Sequence, residues 1–404
     1  MPFDDRDFPN LPKGERAISP RSRRLVAIWL YSIACMILVM VALGGATRLT
    51  GSGLSIMEWA PFMGAIPPLS DTEWHRLYAL YQQIPQYQQL NDGFGLAGFQ
   101  HIFWLEWTHR LWGRLIGVAF VLPLIWFTAT RRLEPRLLPR LVGFFVLGGM
   151  QGAVGWFMVE SGFFPDAISV APVRLVAHLT LALILYATVL WTALALMPPG
   201  PRIGDASRLL RGLTWTTLSL VALTIVAGGF VAGLHAGLAY NTFPLMDGHL
   251  VPEGYANLEP FGLNLIANIP AVQFNHRVLA TLTVISASSL AIVALPYRGW
   301  LGWRAGFLAA AAALQYGLGV TTLLLAAPAW IAVSHQIGAT ILLTAVLLLA
   351  HALRYPAVIS ARTIPGSGRA SGARTGSGRA HGQTAQGTPF YGSITSSASE
   401  DPKQ

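Results

Sequence analysis

Eight long apolar stretches, near residues 25–46, 110–129, 138–159, 174–196, 212–234, 273–295, 303–326 and 329–352, dominate what this 404-residue chain can fold into. Each approaches the roughly 20 residues that an α-helix, rising about 1.5 Å per residue, needs to cross hydrocarbon. With 11% charged against 53% hydrophobic residues, the chain reads as an all-α polytopic membrane protein of eight transmembrane helices. Several stretches hold internal glycines, and Pro123 interrupts the second. Membrane helices tolerate both where neighbours pack closely or satisfy the backbone.

Basic residues set an orientation. The segments 1–24, 131–140, 197–211 and 296–304 carry 15 Lys/Arg, the alternate segments 47–110, 160–174, 235–277 and 327–334 only 5. Both termini are therefore expected in the cytoplasm, in a multi-pass protein of the bacterial inner membrane. The formal charge of +9 does not signal nucleic-acid binding, because the cations cap apolar stretches or lie scattered along a polar tail. The single cysteine, Cys35, excludes an internal disulfide and any multi-thiolate site. The opening segment is too polar for a secretory signal and reads as a retained tail. The expected organisation is an N-terminal tail over 1–24, a four-helix repeat over 25–196, a cytoplasmic linker over 197–211, a second four-helix repeat over 212–355 and a disordered cytoplasmic tail over 356–404.

The repeat shows in the order of four motifs. EWTHRLWGRLIG opens the second helix and RLVAHLTLAL the fourth; QFNHRVLATL opens the sixth and IAVSHQIGAT the eighth. Their histidines, His109, His178, His276 and His335, lie 69 residues apart in the first half and 59 in the second. A duplicated bundle with one loop altered leaves this pattern. The orientation puts all four at the outer, periplasmic ends of their helices. One membrane histidine is often a packing residue; four in matching places need a common reason, because imidazole without partners is costly in hydrocarbon.

Imidazole ligates zinc, copper, non-haem iron and haem iron. Zinc ordinarily needs a tight cluster, and neither HExxH nor CxxC is present. Two histidines on facing helices can instead meet an iron on the two sides of a porphyrin, whose apolar body suits a membrane bundle. One pair per repeat is the economical arrangement. Arg110 and Arg277 follow His109 and His276, Arg174 precedes His178 by one turn, and Arg48 closes the first helix. These four are candidates for binding propionates, against the alternative of interfacial snorkelling. Glu106, three residues before His109, has Gln273 as its counterpart. A carboxylate beside only one pocket suggests chemistry there and relay or support at the other. The aromatic- and proline-containing loops 47–108 and 235–272 read as folded caps; His75, His101, His235, His249 and His351 have no repeated counterpart.

Residues 25–355 resemble the haem A synthase family, also called the Cox15/CtaA family, through GGATRLTGSGLS, EWTHRLWG, RLVAHLTLAL, AGLAYNTFPLMDG, FNHR and SHQIGA in that order. The absence of paired cysteines in the first outer loop is similar to the cysteine-poor proteobacterial and mitochondrial branch. The resemblance implies an oxidoreductase that converts the methyl group of haem O to the formyl group of haem A through a hydroxymethyl stage. It implies that His109 and His178 match the substrate-haem site, Glu106 the catalytic carboxylate, and His276 and His335 the ligands of a resident haem b. Implied partners are a haem O synthase, a membrane electron acceptor, and a terminal oxidase or its assembly factors. The rival readings are a di-haem membrane cytochrome that leaves haem unmodified, and a haem carrier or oxidase assembly factor. Small-residue patterns such as GGMQGAVG suit helix packing within the chain or in a homo-oligomer.

Overall fold

The computed structural model of the protein describes residues 18–61, 63–197, 207–297 and 299–354. The expected polar tails and the middle of the cytoplasmic linker lie outside these residues, except for residues 18–24. Helix α1 (Pro20–Leu49) begins earlier than the apolar stretch, because Ser19 caps it, accepting the Ser22 N–H, and Pro20 occupies its first turn. Two short helices follow, α2 (Asp71–Tyr81) and α3 (Pro85–Leu90); the Ser70 hydroxyl accepts the Glu73 N–H at the start of α2.

The remaining long helices are α4 (Gly95–Ala129), α5 (Leu138–Glu160), α6 (Pro172–Leu196), α7 (Arg208–Gly233), α8 (Ile269–Ala294), α9 (Trp300–Leu324) and α10 (Ala329–Leu353). Eight helices, all but α2 and α3, are long and apolar enough to cross a membrane. Among the described residues there is no strand, only one isolated bridge, between Met246 and His249. Asp247 and Gly248 close that bridge in left-handed conformations, the backbone of a tight hairpin turn.

Helix α4 departs most from the sequence expectation. It starts 15 residues before position 110 and runs for 35 residues, roughly 50 Å at the α-helical rise. The added turns bury one face. Their Phe99, Ile102 and Phe103 pack with Leu54, with Trp74, Leu77 and Tyr81 of α2 and with Tyr87 of α3, forming an outer cap with its own buried core. The loop 47–108 is thus folded structure that uses the helix as its wall.

Helix α1 packs against α4 and α6, and α5 against α6 and, more sparsely, α4; α7 packs against α8 and α10, and α9 against the same two. Contacts of α1 with α10 and of α6 with α7 join the two sets. At the end carrying the α1 N-terminus, one apolar cluster draws on all eight long helices, including Leu30, Phe120, Leu141, Tyr186, Leu210, Leu290, Leu308 and Val346. Between that cluster and the opposite ends, burial lapses. No residue is buried over 107–119 of α4, 177–182 of α6, 274–282 of α8 or 332–339 of α10. The same holds for 142–158 of α5, 222–228 of α7 and 313–324 of α9, so the tight packing is concentrated at the end carrying the α1 N-terminus.

Candidate functional site

Each of the lapses in α4, α6, α8 and α10 contains one of the four histidines. His109 lies within electrostatic reach of His178, and His276 of His335. His276 has its Nδ1 3.1 Å from the Thr224 carbonyl oxygen. A donated Nδ1–H there leaves Nε2 with its lone pair free to accept or to ligate. On α9, Gln315 places its amide nitrogen 2.9 Å from His335 Nδ1 and donates to the His335 carbonyl at 2.8 Å. Gln151 of α5 does the same for His178, lying 3.1 Å from Nδ1 and donating to the His178 carbonyl at 3.0 Å. The Gln151 Oε1 is buried without a hydrogen-bond partner.

The two halves also match in how they fasten their outer loops. Arg110 donates to the carbonyls of Ile56 and Glu58; Arg277, its counterpart, donates to those of Tyr240 and Thr242. Left-handed Gly51 and left-handed His235 each follow the outer end of a helix and lead into a short 3-10 turn. His235 therefore stands where the other half has a glycine. Burial, and after it the neighbouring Arg48, hold its imidazole below the ordinary histidine range.

Glu106 and Gln273 face these loops with opposite chemistry. Glu106 is 2% exposed and accepts the Ser55 hydroxyl (2.7 Å) and the Ile56 N–H (2.9 Å) on Oε2, and Arg110 Nε (3.0 Å) and Nη2 (2.6 Å) on Oε1. Gln273 instead donates to the Ala236 and Ala239 carbonyls. Glu106 is thus neither a solvated acid nor a helix cap. It is a buried carboxylate, fully partnered, less than one turn from His109. The loop it holds is also tied from outside. Arg76 forks onto Glu58, whose carboxyl the guanidinium holds below the usual range, and Trp59 stacks on Trp156 at 6.0 Å.

The four candidate arginines divide. Arg110 and Arg277 are committed to loop carbonyls. Arg174 donates to the Phe157 carbonyl (2.7 Å) and lies 3.6 Å over the Phe157 ring. The guanidinium of Arg48, among the described residues, makes neither hydrogen bond nor ion pair and has His235 within electrostatic reach.

The COX15-CtaA family model, described as cytochrome oxidase assembly protein, matches residues 27–347, a range that begins in α1 and ends in α10. The chain belongs to this family. It is 59% identical over 343 residues to a Heme A synthase of Granulibacter bethesdensis, spanning 84% of this chain and 91% of that relative. It is 44% identical over 348 residues to a Heme A synthase of Rhodospirillum centenum, with the same two coverages. With a Heme A synthase of a Methylobacterium species it shares 48% identity over 337 residues, 82% of this chain and 92% of the relative. Haem-related chemistry thus comes with membership of the COX15-CtaA family.

The donor set fits a porphyrin. No group of three or more His, Cys, Asp or Glu among the described residues could hold a bare metal ion. Paired imidazoles suffice where a macrocycle supplies the other four nitrogens. The unpaired histidines lie elsewhere: His75 bonds the Asp71 carbonyl, His101 is exposed, His249 reaches Glu253 at 3.7 Å, and His351 packs edge-on to Trp191. Residues overlooked in the sequence are Ser55, Arg114, Thr224, Gln151 and Gln315. The last two carry a legible signal, since QGAVG and QYGLG repeat a Gln four residues before a Gly in α5 and α9. Arg114, which donates to the Ala60 and Pro61 carbonyls, has no such repeat.

Proposed function

We propose that this protein oxidises the methyl substituent of haem O to the formyl group of haem A through hydroxylated intermediates, completing haem A formation for a terminal oxidase. The observation that carries the reading is the set of four imidazoles on four membrane-length helices, His109 within electrostatic reach of His178 and His276 of His335. Kinship with Heme A synthases selects this activity among haem-related ones. The eight helices form two repeated four-helix bundles, 25–196 and 212–355, with the haem sites toward the periplasm and both termini in the cytoplasm of an inner-membrane protein.

His109 and His178 hold haem O as substrate, and His276 and His335 hold haem b. Bound haem b supplies reversible one-electron chemistry. The residues of the chain do the rest. The Thr224 carbonyl, accepting from Nδ1, turns the second site toward permanent ligation; no hydrogen bond to Nδ1 fixes His109 among the described residues. Glu106 lies close to His109 and can take a proton on a carboxylate oxygen or balance positive charge as the methyl group loses electrons. With water as the oxygen source, methyl to formyl releases four electrons and four protons, so a membrane electron acceptor is required. A haem O synthase supplies the substrate.

Arg48 is the propionate ligand best placed for the first site. It lies one helical turn beyond Gly44, whose backbone faces His109, and its guanidinium has no other commitment. Arg110, Arg174 and Arg277 support the outer loops, and any propionate contact would have to be shared with those carbonyls. Arg48→Ala is expected to weaken haem O retention by about 10- to 100-fold, the worth of a charge-assisted hydrogen bond. Lysine should recover part of it, lacking the planar fork. Unchanged haem O retention in detergent-solubilised Arg48→Ala protein removes the assignment.

The activity itself is tested by co-expression with a haem O synthase, followed by haem extraction and mass analysis. Hydroxylated haem and haem A are expected only when this chain is present. Haem O left unchanged by inserted, haem-loaded protein would instead favour a di-haem cytochrome or a haem carrier.

A further inference from the structure

Each of the four histidine rings rests against a glycine of a neighbouring helix. A β-carbon placed at Gly44 of α1 would stand 3.2 Å from His109 Nε2, and one at Gly155 of α5 2.8 Å from His178 Cε1. In the second half, a β-carbon at Gly228 of α7 would stand 3.0 Å from His276 Cε1, and one at Gly319 of α9 2.8 Å from His335 Cε1. At all four positions the nearest atoms belong to the imidazole alone. Other close-packed glycines here differ. A β-carbon at Gly233 would strike the Pro172 backbone at 2.9 Å, and one at Gly45 the Gln336 amide. Those serve contact between helices; the four seats serve the rings.

Glycine inside a helix costs about 1 kcal/mol relative to alanine, so four such positions, each opposite a haem-facing histidine, call for an offsetting gain. Imidazole is rigid, with two side-chain torsions. At 2.8 Å, opposite Gly155 and Gly319, a methyl group forces the ring to move, whereas at 3.0 and 3.2 Å, opposite Gly228 and Gly44, the ring must give by a few tenths of an ångström. Binding groups work when held to within about 0.5 Å and 10–20° of their productive geometry, so the effect should be larger at Gly155 and Gly319 than at Gly228 and Gly44. The seats also recur in the repeat, since Gly44 and Gly228 each open a Gly-Gly pair and Gly155 and Gly319 each follow a glutamine by four residues.

We infer that Gly44, Gly155, Gly228 and Gly319 are positioning residues, each fixing the imidazole that ligates one face of a haem, and that an alanine at any of them acts only on the haem of its own half. The inference rests on the ligand assignment proposed above.

The test uses the full chain purified from membranes after co-expression with a haem O synthase, with haem b and haem O extracted separately and low-spin electron paramagnetic resonance spectra recorded. Gly228→Ala and Gly319→Ala are expected to lower haem b content, or its thermal retention, by about 10- to 100-fold, or to shift its low-spin signal, while haem O is held normally. Gly44→Ala and Gly155→Ala should do the reverse. Gly143→Ala and Gly317→Ala, on α5 and α9 but facing open space, should change nothing. Retention of both haems with unaltered spectra in all four seat variants overturns the inference. So does loss of both haems together, or failure to insert, because a packing role would act on the whole molecule. Alanine at the histidines separates the two levels. If histidine variants lose haem and glycine variants do not, the ligand assignment stands and the seats fall; if histidine variants also keep haem, the assignment itself fails.

Discussion

Alanine at His276 or His335 is expected to strip haem b from the purified chain, lowering its content at least about 10-fold, while haem O bound between His109 and His178 persists. The argument begins with the ring environment. The Thr224 carbonyl orients the His276 ring at 3.1 Å, and Gln315 fastens His335 by donating to its backbone carbonyl at 2.8 Å, so each residue has a partner in addition to its own helix. Outer partners of this kind typically account for about 10- to 100-fold in metal affinity, and the ligand itself for more. Removing one imidazole leaves a ring-sized gap above a glycine and a haem with one protein ligand. Free imidazole in the buffer should enter that gap and restore part of the low-spin spectrum, which a collapsed or misfolded bundle could not do. The two halves meet mainly through α1 with α10 and α6 with α7, and their shared apolar cluster lies at the far end from the rings. Loss in one half should therefore leave the other intact. An unchanged haem b content and spectrum in His276→Ala protein would reject the assignment.

The spans were legible because hydropathy reports burial in lipid directly. The four histidines stood out because similar motifs occur twice in the sequence, at His109 and His178 and again at His276 and His335. What remained hidden depends on side chains whose partners are backbone atoms. Nothing in the residue type of Arg110 or Arg174 distinguishes a guanidinium free for carboxylates from one occupied by the carbonyls of Ile56, Glu58 or Phe157. The early start of α4 was hidden for a related reason. Its first turns bury Phe99, Ile102 and Phe103 against the cap but also carry Gln100, His101, Glu106, Thr108 and His109, so a search for uninterrupted apolar residues begins too late. The glycine seats stood in the sequence as ordinary small membrane residues; only the ring opposite each gives it a role.

Glu106→Gln is expected to reduce conversion of haem O by about 100-fold while both haems remain bound, and its interpretation turns on the partners that the carboxylate has. Oε1 accepts two N–H groups of Arg110 and Oε2 accepts the Ser55 hydroxyl and the Ile56 N–H. A glutamine amide in that place points its NH2 at a donor whichever way it turns, toward Arg110 or toward Ile56. Breaking a buried ion pair on one side costs about 3–5 kcal/mol, so the loop around Ser55 and Ile56 will loosen whether or not the carboxylate takes part in chemistry. Ser55→Ala separates the two effects. It removes one neutral hydrogen bond to the same oxygen, worth about 1 kcal/mol, and leaves the charge and the Arg110 pair in place. A carboxylate that moves protons or balances developing charge predicts a large fall for Glu106→Gln and a fall of only a few-fold for Ser55→Ala. A carboxylate that merely ties down the loop predicts falls in proportion to the loosening, so that loss of activity tracks increased proteolysis of the cap across both variants, whereas a working carboxylate predicts a fall for Glu106→Gln beyond that proportion. Equal haem A production by equally loaded Glu106→Gln and parent protein would end the catalytic reading altogether. Gln273 makes the contrast physical: at the matching place in the other half, an amide that donates to two carbonyls holds the loop without any charge. Holding the loop therefore does not require a carboxylate, and its presence beside His109 alone is the reason to expect that its charge is used there.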